Sequence, residues 1–136
     1  GNVMKALIAL VSVLSFILGS LPVQAASHPR TYTATINKDG TVLTQTPQWI
    51  ATVEHTNQDD YAALYNVKLV PSAFKKAPAY CNVSTYDYSS YEHTLHGIAK
   101  LSSKPTKSEV NVIGLMLGLN QPAGDSSMSF YLVCGQ

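Results

Sequence analysis

Charge is scarce in this sequence. Only 12% of its residues are charged, and nine Lys and Arg stand against eight Asp and Glu, which gives a net charge of +1. Nucleic acids and anionic membrane surfaces attract proteins with a clear basic excess. The near balance therefore gives no reason to expect either partner. Its polar surface must consist mainly of Ser, Thr, Asn, Gln and Tyr, which suits a glycan or a protein surface as the ligand.

Long apolar runs are also lacking, with one exception near the N-terminus. Residues 6–18 are almost wholly apolar, they follow Lys5, and they end at Gly19 and Pro22 before the small residues around Ala25. A basic start, a short apolar region and a small-residue exit are typical of a cleaved secretory signal. As a membrane anchor the run is too short, since as a helix it would span only about 20 Å of a roughly 30 Å hydrocarbon core.

This pattern divides the chain in two. We predict that residues 1–25 are an N-terminal remnant and signal peptide, with Gly1–Val3 ahead of the apparent start at Met4. Residues 26–136 are long enough for one domain and too short for two. The predicted location is secreted or periplasmic, with no stable membrane anchor after cleavage.

Cysteine is limited to two residues, Cys81 and Cys134. In an exported chain such a pair predicts one disulfide, with two buried free thiols as the alternative. The bond would close a loop of about 50 residues and stabilise the fold by roughly 4 kcal/mol on the chain-entropy model. Because both cysteines fall on apolar faces of predicted strands, we expect the bond to run through the core between two sheets.

Helical periodicity is missing after the leader, whereas strand patterns are frequent. Alternation of apolar and polar residues, bounded by turn residues, predicts strands. They fall at 31–36, 41–46, 49–53, 65–69, 79–86, 109–117 and 128–134. Asp39-Gly40 predicts a hairpin turn, and 55–60 and 100–108 are expected to be polar loops. Such a series of short strands indicates an all-β, single-domain antiparallel β-sandwich, jelly-roll-like in kind.

Several of these strand residues resemble a known class. The pattern is Tyr65-x-Val67-x-Leu69, then Phe74 and Pro78, and a terminal Phe130-x-Leu132-x-Cys134-Gly135. It is similar to the head domains of C1q/TNF-type jelly rolls and of phage tail-fibre tips. The resemblance implies a binding head that assembles as a homo-oligomer, in those families a trimer.

The most distinctive segment is rich in tyrosine. Four of the eight tyrosines lie between residues 80 and 91, interleaved with Ser, Asp and Glu. Tyrosine offers a flat apolar ring face and a hydroxyl at low entropic cost, and acidic side chains accept hydrogen bonds from sugar hydroxyls. The alternative is ordinary sandwich surface, where tyrosine is a favoured strand residue. The predicted ligand-binding set is Tyr86, Asp87, Tyr88, Tyr91, Glu92 and His93.

Catalytic signatures are weak. His93 and His96 would share a face only on a helix, and no recognised zinc spacing accompanies them. Gly124-Asp-Ser-Ser127 superficially resembles the surroundings of a serine nucleophile, but Pro122, Gly124 and Asp125 favour a turn. We predict no catalytic residue, no metal ligand and no cofactor. The first hypothesis is a non-enzymatic, adhesin- or lectin-like binding module.

Two alternatives remain open. The first is a structural or assembly subunit of an envelope or secreted complex, formed through exposed strand edges. The second is a small metal-dependent hydrolase that uses His93 and His96.

Overall fold

The computed structural model of the protein describes residues 31–136 and, before them, Gly19 alone. The predicted signal peptide and its cleavage site lie outside the described residues. Among the residues described, no helix is long and apolar enough to cross a membrane. The elements are β1 (Thr31–Ile36), β2 (Val42–Thr46), β3 (Ile50–Gln58), β4 (Ala62–Leu69), β5 (Tyr80–Thr85), α1 (Tyr91–His96), β6 (Gly97–Leu101), β7 (Glu109–Met116) and β8 (Phe130–Gly135).

The strands form two antiparallel four-stranded sheets. The first sheet has the order β2-β1-β8-β5 and the second the order β3-β4-β7-β6. The predicted all-β antiparallel sandwich is therefore confirmed. Alternation along the strands explains it, because β1 buries Tyr32, Ala34 and Ile36 and turns its threonines outward. The strand β8 likewise buries Phe130 and Leu132 in the core between the sheets.

The disulfide between Cys81 and Cys134 is present, as predicted. It does not run between the sheets, so that part of the prediction is wrong. The two cysteines are directly opposite each other on neighbouring strands β5 and β8, with their Cα atoms 4.1 Å apart. Both side chains face the core, but they belong to the same sheet. The bond therefore joins two strands that already share backbone hydrogen bonds.

Three stretches differ from the sequence-based prediction. Residues 55–58, expected in a polar loop, continue β3, and residues 97–101 form the unpredicted strand β6. The strands β3 and β6 form the two edges of the second sheet. An edge strand has one neighbouring strand, and its polar side chains can stay in water. The third difference is the short helix α1, which fills part of the connection between β5 and β6.

The sandwich has two ends with different composition. At one end lie residues 37–41, 86–96 and 117–129, next to the end of β1 and the start of β8. We call it the tyrosine end. Residues 47–49, 70–79 and 102–108 gather at the other end, next to the start of β1 and the end of β8, and we call it the lysine end.

Candidate functional site

The predicted binding residues lie on one connection at the tyrosine end. Residues 86–96 leave β5 in the first sheet and lead through α1 into β6 in the second sheet. Ser90 begins α1 as its N-cap, and its Oγ accepts a hydrogen bond from the backbone N–H of His93 at 3.0 Å. Such capping pairs an otherwise unsatisfied N–H and fixes where the helix starts. We call residues 86–96 the tyrosine loop.

Asp87 fixes this loop to the body of the domain. Only 7% of its surface is exposed. Its Oδ1 accepts a hydrogen bond from the backbone N–H of Ser89 at 2.9 Å, and its Oδ2 accepts one from the backbone N–H of Ser129 at 3.2 Å. The Nδ1 of His93 lies 3.5 Å from the same Oδ2. Asp87 therefore ties the loop to the start of β8.

The same contacts set the ionisation of Asp87. Burial by itself would raise the pKa of the carboxyl group, because it disfavours the charged form. The hydrogen bonds from Ser89 and Ser129, together with nearby His93, outweigh burial and hold the pKa of Asp87 below its ordinary value. The carboxylate is thus charged at neutral pH and engaged inside the protein.

Tyr86 stands beside an aromatic partner that the sequence pattern did not indicate. Its ring stacks on that of Tyr131 in β8, with centroids 4.4 Å apart and planes at 23°. Burial raises the pKa of the Tyr86 hydroxyl, so the phenol is neutral at neutral pH. Tyr131 remains 46% exposed. The stack therefore offers solvent an aromatic surface that is held by packing.

Tyr88 and Tyr91 project further into solvent. Their exposed fractions are 83% and 75%, and Glu92 beside them is exposed as well. Neither ring is needed to cover the core. Large exposed aromatic side chains of this kind are characteristic of recognition surfaces.

A small cavity lies at the base of the tyrosine loop. Its volume is about 270 Å³. It combines ring faces and an aliphatic side chain with an ammonium group and several hydrogen-bonding groups. The lining residues are Asn37, Lys38, Leu43, Tyr86, Asp87, Tyr88, Ser89 and Ser129. Three of the six predicted ligand-binding residues therefore share one cavity, whereas Tyr91, Glu92 and His93 lie on α1 next to it.

The two histidines of α1 have separate partners. His93 faces Asp87, whereas the Nδ1 of His96 lies 2.8 Å from the backbone oxygen of Leu117. Within residues 31–136, no three His, Cys, Asp or Glu side chains are grouped so that they could hold a metal ion. The hydrolase alternative based on this pair gains no support from this geometry.

The Gly124–Ser127 motif forms a turn that leads into the core. Gly124 has a positive φ of 65°, and Asp125 Oδ1 accepts a hydrogen bond from the backbone N–H of Ser127 at 2.8 Å. The Ser127 hydroxyl, however, lies 2.7 Å from Nε2 of His55. The two residues are 72 positions apart, so no local pattern in the sequence could reveal this contact. Ser127 is buried, and the pair fills a polar corner beside Tyr65.

The outward face of the first sheet continues the aromatic surface. Tyr131 lies between Thr35 of β1 and Ser84 of β5, and Val133 lies between Thr33 and Asn82 in the next row. These two rows carry hydroxyl, amide and apolar groups and no charged side chain. The alternating threonines of β1 were the signal in the sequence that could have indicated this surface.

Comparisons with protein-family models, with curated proteins and with solved structures find no match for this chain. The resemblance to C1q/TNF-type and tail-fibre heads stays a prediction.

Proposed function

We propose that this protein is an exported, non-enzymatic binding module that recognises a neutral glycan through the tyrosine loop. The observation that carries this proposal is the Tyr86–Tyr131 stack beside a cavity of about 270 Å³. Tyr88 and Tyr91 stand exposed around the same position. Aromatic ring faces pack against the apolar faces of sugar rings, and phenol hydroxyls bond to sugar hydroxyls.

The size of the cavity favours a ligand that extends beyond it. Pockets that bury a whole small molecule measure about 300–1,000 Å³, and this one lies just below that range. A terminal ring would enter the cavity, while following rings would pass over Tyr131 and the outward face of the first sheet. The two rows around Tyr131 and Val133 provide hydrogen-bonding groups without charge, which suits neutral sugars.

Pre-organisation supports a binding role for the loop. Asp87 holds the loop through buried hydrogen bonds, and Ser90 caps its helix. A loop that is already ordered loses less conformational entropy when a ligand binds. The exposed tyrosines therefore lie on a loop whose conformation is held by these hydrogen bonds.

A location outside the cytoplasm suits this role best. Disulfides form and persist in oxidising compartments, and the Cys81–Cys134 bond fits such a location. The predicted signal peptide supports the same location from the sequence.

A glycan array on the disulfide-bonded protein tests the proposal. We expect a defined set of bound neutral glycans, and at least a tenfold loss of affinity for them in the double variant Y88A/Y91A. The matched control is Y61A, because Tyr61 is 72% exposed and lies outside the tyrosine loop and the small cavity, in the turn between β3 and β4. Both variants remove exposed rings, so neither is expected to change the fold.

Two results would overturn the glycan proposal. The first is an array without hits, and the second is a set of hits that Y88A/Y91A leaves intact. An empty array together with a defined oligomer in sedimentation velocity would favour the alternative of an assembly subunit, including the trimer that the resemblance implies.

A further inference from the structure

A second, larger cavity lies at the lysine end, away from the tyrosine loop. Its volume is about 870 Å³, which is within the range of pockets that bury most of a small ligand. Its walls come from the start of β1, the β2–β3 connection, the long β4–β5 connection and the β6–β7 loop. Its lining includes Tyr32, Trp49, Val70, Lys75, Lys76 and Lys104, together with prolines and alanines.

The charged side chains that line this cavity, among the residues that the structure describes, are all lysines. They are Lys75, Lys76 and Lys104, and no described Asp or Glu contributes to the lining. Within residues 31–136, the only Lys–carboxylate ion pair joins Lys68 to Glu54. The three ammonium groups therefore create a positive potential that favours an anion.

The remaining walls are mainly apolar. Prolines, alanines and Val70 supply most of them, and the buried residues Tyr32 and Trp49 border the cavity. The polar atoms of both aromatic residues are already bonded, since Trp49 Nε1 donates to the backbone oxygen of Thr33 at 2.9 Å and Tyr32 Oη donates to that of Ala73 at 3.1 Å. Because Tyr32 and Trp49 are 4% and 0% exposed, the prolines, the alanines and Val70 are the apolar groups that a ligand would contact.

We propose that this cavity is a second binding site, and that its ligand is an amphipathic carboxylate of the fatty-acid class. The apolar body lies against the prolines, the alanines and Val70, and the carboxylate pairs with the lysines. A free inorganic anion would leave the apolar walls uncovered, and a neutral sugar would leave the lysines without a partner.

This site is independent of the glycan proposal. Tyr32 and Gln136 mark one end of β1 and β8, whereas Asn37 and Ser129 at the opposite end line the smaller cavity. Failure of one proposal therefore does not imply failure of the other, and each has its own variants.

Titration with dodecanoate, below the concentration at which it forms micelles, tests the second site. Trp49 is the only tryptophan of the chain, so its fluorescence reports on this cavity without labelling. We expect a saturable change in fluorescence, with calorimetry giving the same affinity. The variant K75A/K76A/K104A is expected to weaken binding at least tenfold. The control K68A/K100A removes lysines that line neither cavity and is expected to keep the affinity of the native protein.

Two further ligands test the anionic group and the apolar body of the proposed ligand separately. Dodecanol lacks the anionic group and acetate lacks the apolar body, so both are expected to bind at least tenfold more weakly than dodecanoate. The proposal would be overturned if dodecanol or acetate bound as tightly as dodecanoate. It would also be overturned if the two lysine variants lost the same affinity, or if dodecanoate showed no saturable binding. The Y88A/Y91A variant is expected to bind dodecanoate normally.

Discussion

Among single residues, Asp87 connects several parts of the tyrosine end. It belonged to the predicted ligand-binding set, and it does line the small cavity. Its oxygens, however, are largely occupied by Ser89, Ser129 and His93. A carboxylate bonded in this way has a positioning role. It fixes the backbone that carries Tyr86 and Tyr88, the residues on either side of Asp87 in the chain.

The lowered pKa of Asp87 predicts how stability changes with pH. A carboxyl group whose pKa is lower in the folded chain than the unfolded value of about 3.9 stabilises the fold above that value. This contribution is lost as the pH falls through the lower, folded pKa. We expect D87N to lower the free energy of unfolding by about 1–3 kcal/mol at pH 7, since hydrogen bonds to a charged group are lost. The difference from the native protein should shrink below about pH 4.

Urea unfolding at pH 7 and at pH 3 measures this effect. D59N is the control, because Asp59 is an exposed carboxylate in the turn after β3. We expect D59N to match the native protein at both pH values. An equal deficit of D87N at pH 7 and pH 3 would show that the charge of Asp87 does not stabilise the fold.

Among the elements, all four strands of the first sheet and the central strands of the second could be predicted, whereas the second half of β3 and all of β6 could not. β4 and β8 alternate cleanly because one face of each packs on the core, and that alternation is visible in the sequence. The second half of β3 and all of β6 lie at sheet edges. The second half of β3 is polar throughout, and β6 is a strand of five residues with one polar side chain, Lys100, so neither shows a clear alternation.

The candidate site was predictable in composition but not in geometry. Local clustering marked the tyrosines between residues 80 and 91. The stacking of Tyr86 on Tyr131 and the bond from Asp87 to Ser129 join residues more than 40 positions apart. Such contacts depend on which strands become neighbours, and the sequence pattern does not specify this.

The junction of α1 and β6 allows a test of how the loop is held. A Cβ added at Gly97 would lie 2.5 Å from the backbone oxygen of His93 and 2.7 Å from Sδ of Met128. Backbone of α1 would have to move to relieve the first contact. We expect G97A to destabilise the fold by about 1–3 kcal/mol, as overpacking does, and to weaken glycan binding because α1 carries Tyr91.

Urea unfolding and affinity for an array hit measure the two consequences. S102T also adds one methyl group, but at an exposed position just after β6, and it should leave both quantities unchanged. Native stability and native affinity in G97A would mean that α1 shifts without cost and does not position the loop.

At the scale of the whole molecule, the disulfide joins two strands that also connect the two ends. β5 and β8 extend in opposite directions between the lysine end and the tyrosine end, and Cys81 and Cys134 face each other near the lysine end. At the tyrosine end the same strands lead to Tyr86 and Tyr131. The disulfide and the aromatic stack thus hold this strand pair near its opposite ends.

Removal of the disulfide should therefore separate stability from recognition. The variant C81A/C134A loses a cross-link between two residues that are 53 positions apart in the sequence. We expect its free energy of unfolding to fall by roughly 4 kcal/mol on the chain-entropy model. The β5–β8 hydrogen bonds remain, so circular dichroism should keep its β signal while the urea midpoint falls. Reductant should lower the urea midpoint of the native protein and leave that of the variant unchanged.

Because the Tyr86–Tyr131 stack lies at the far end of the strand pair from the disulfide, the folded variant should bind the same glycans. A folded variant that has lost glycan binding would show that the disulfide also positions the site.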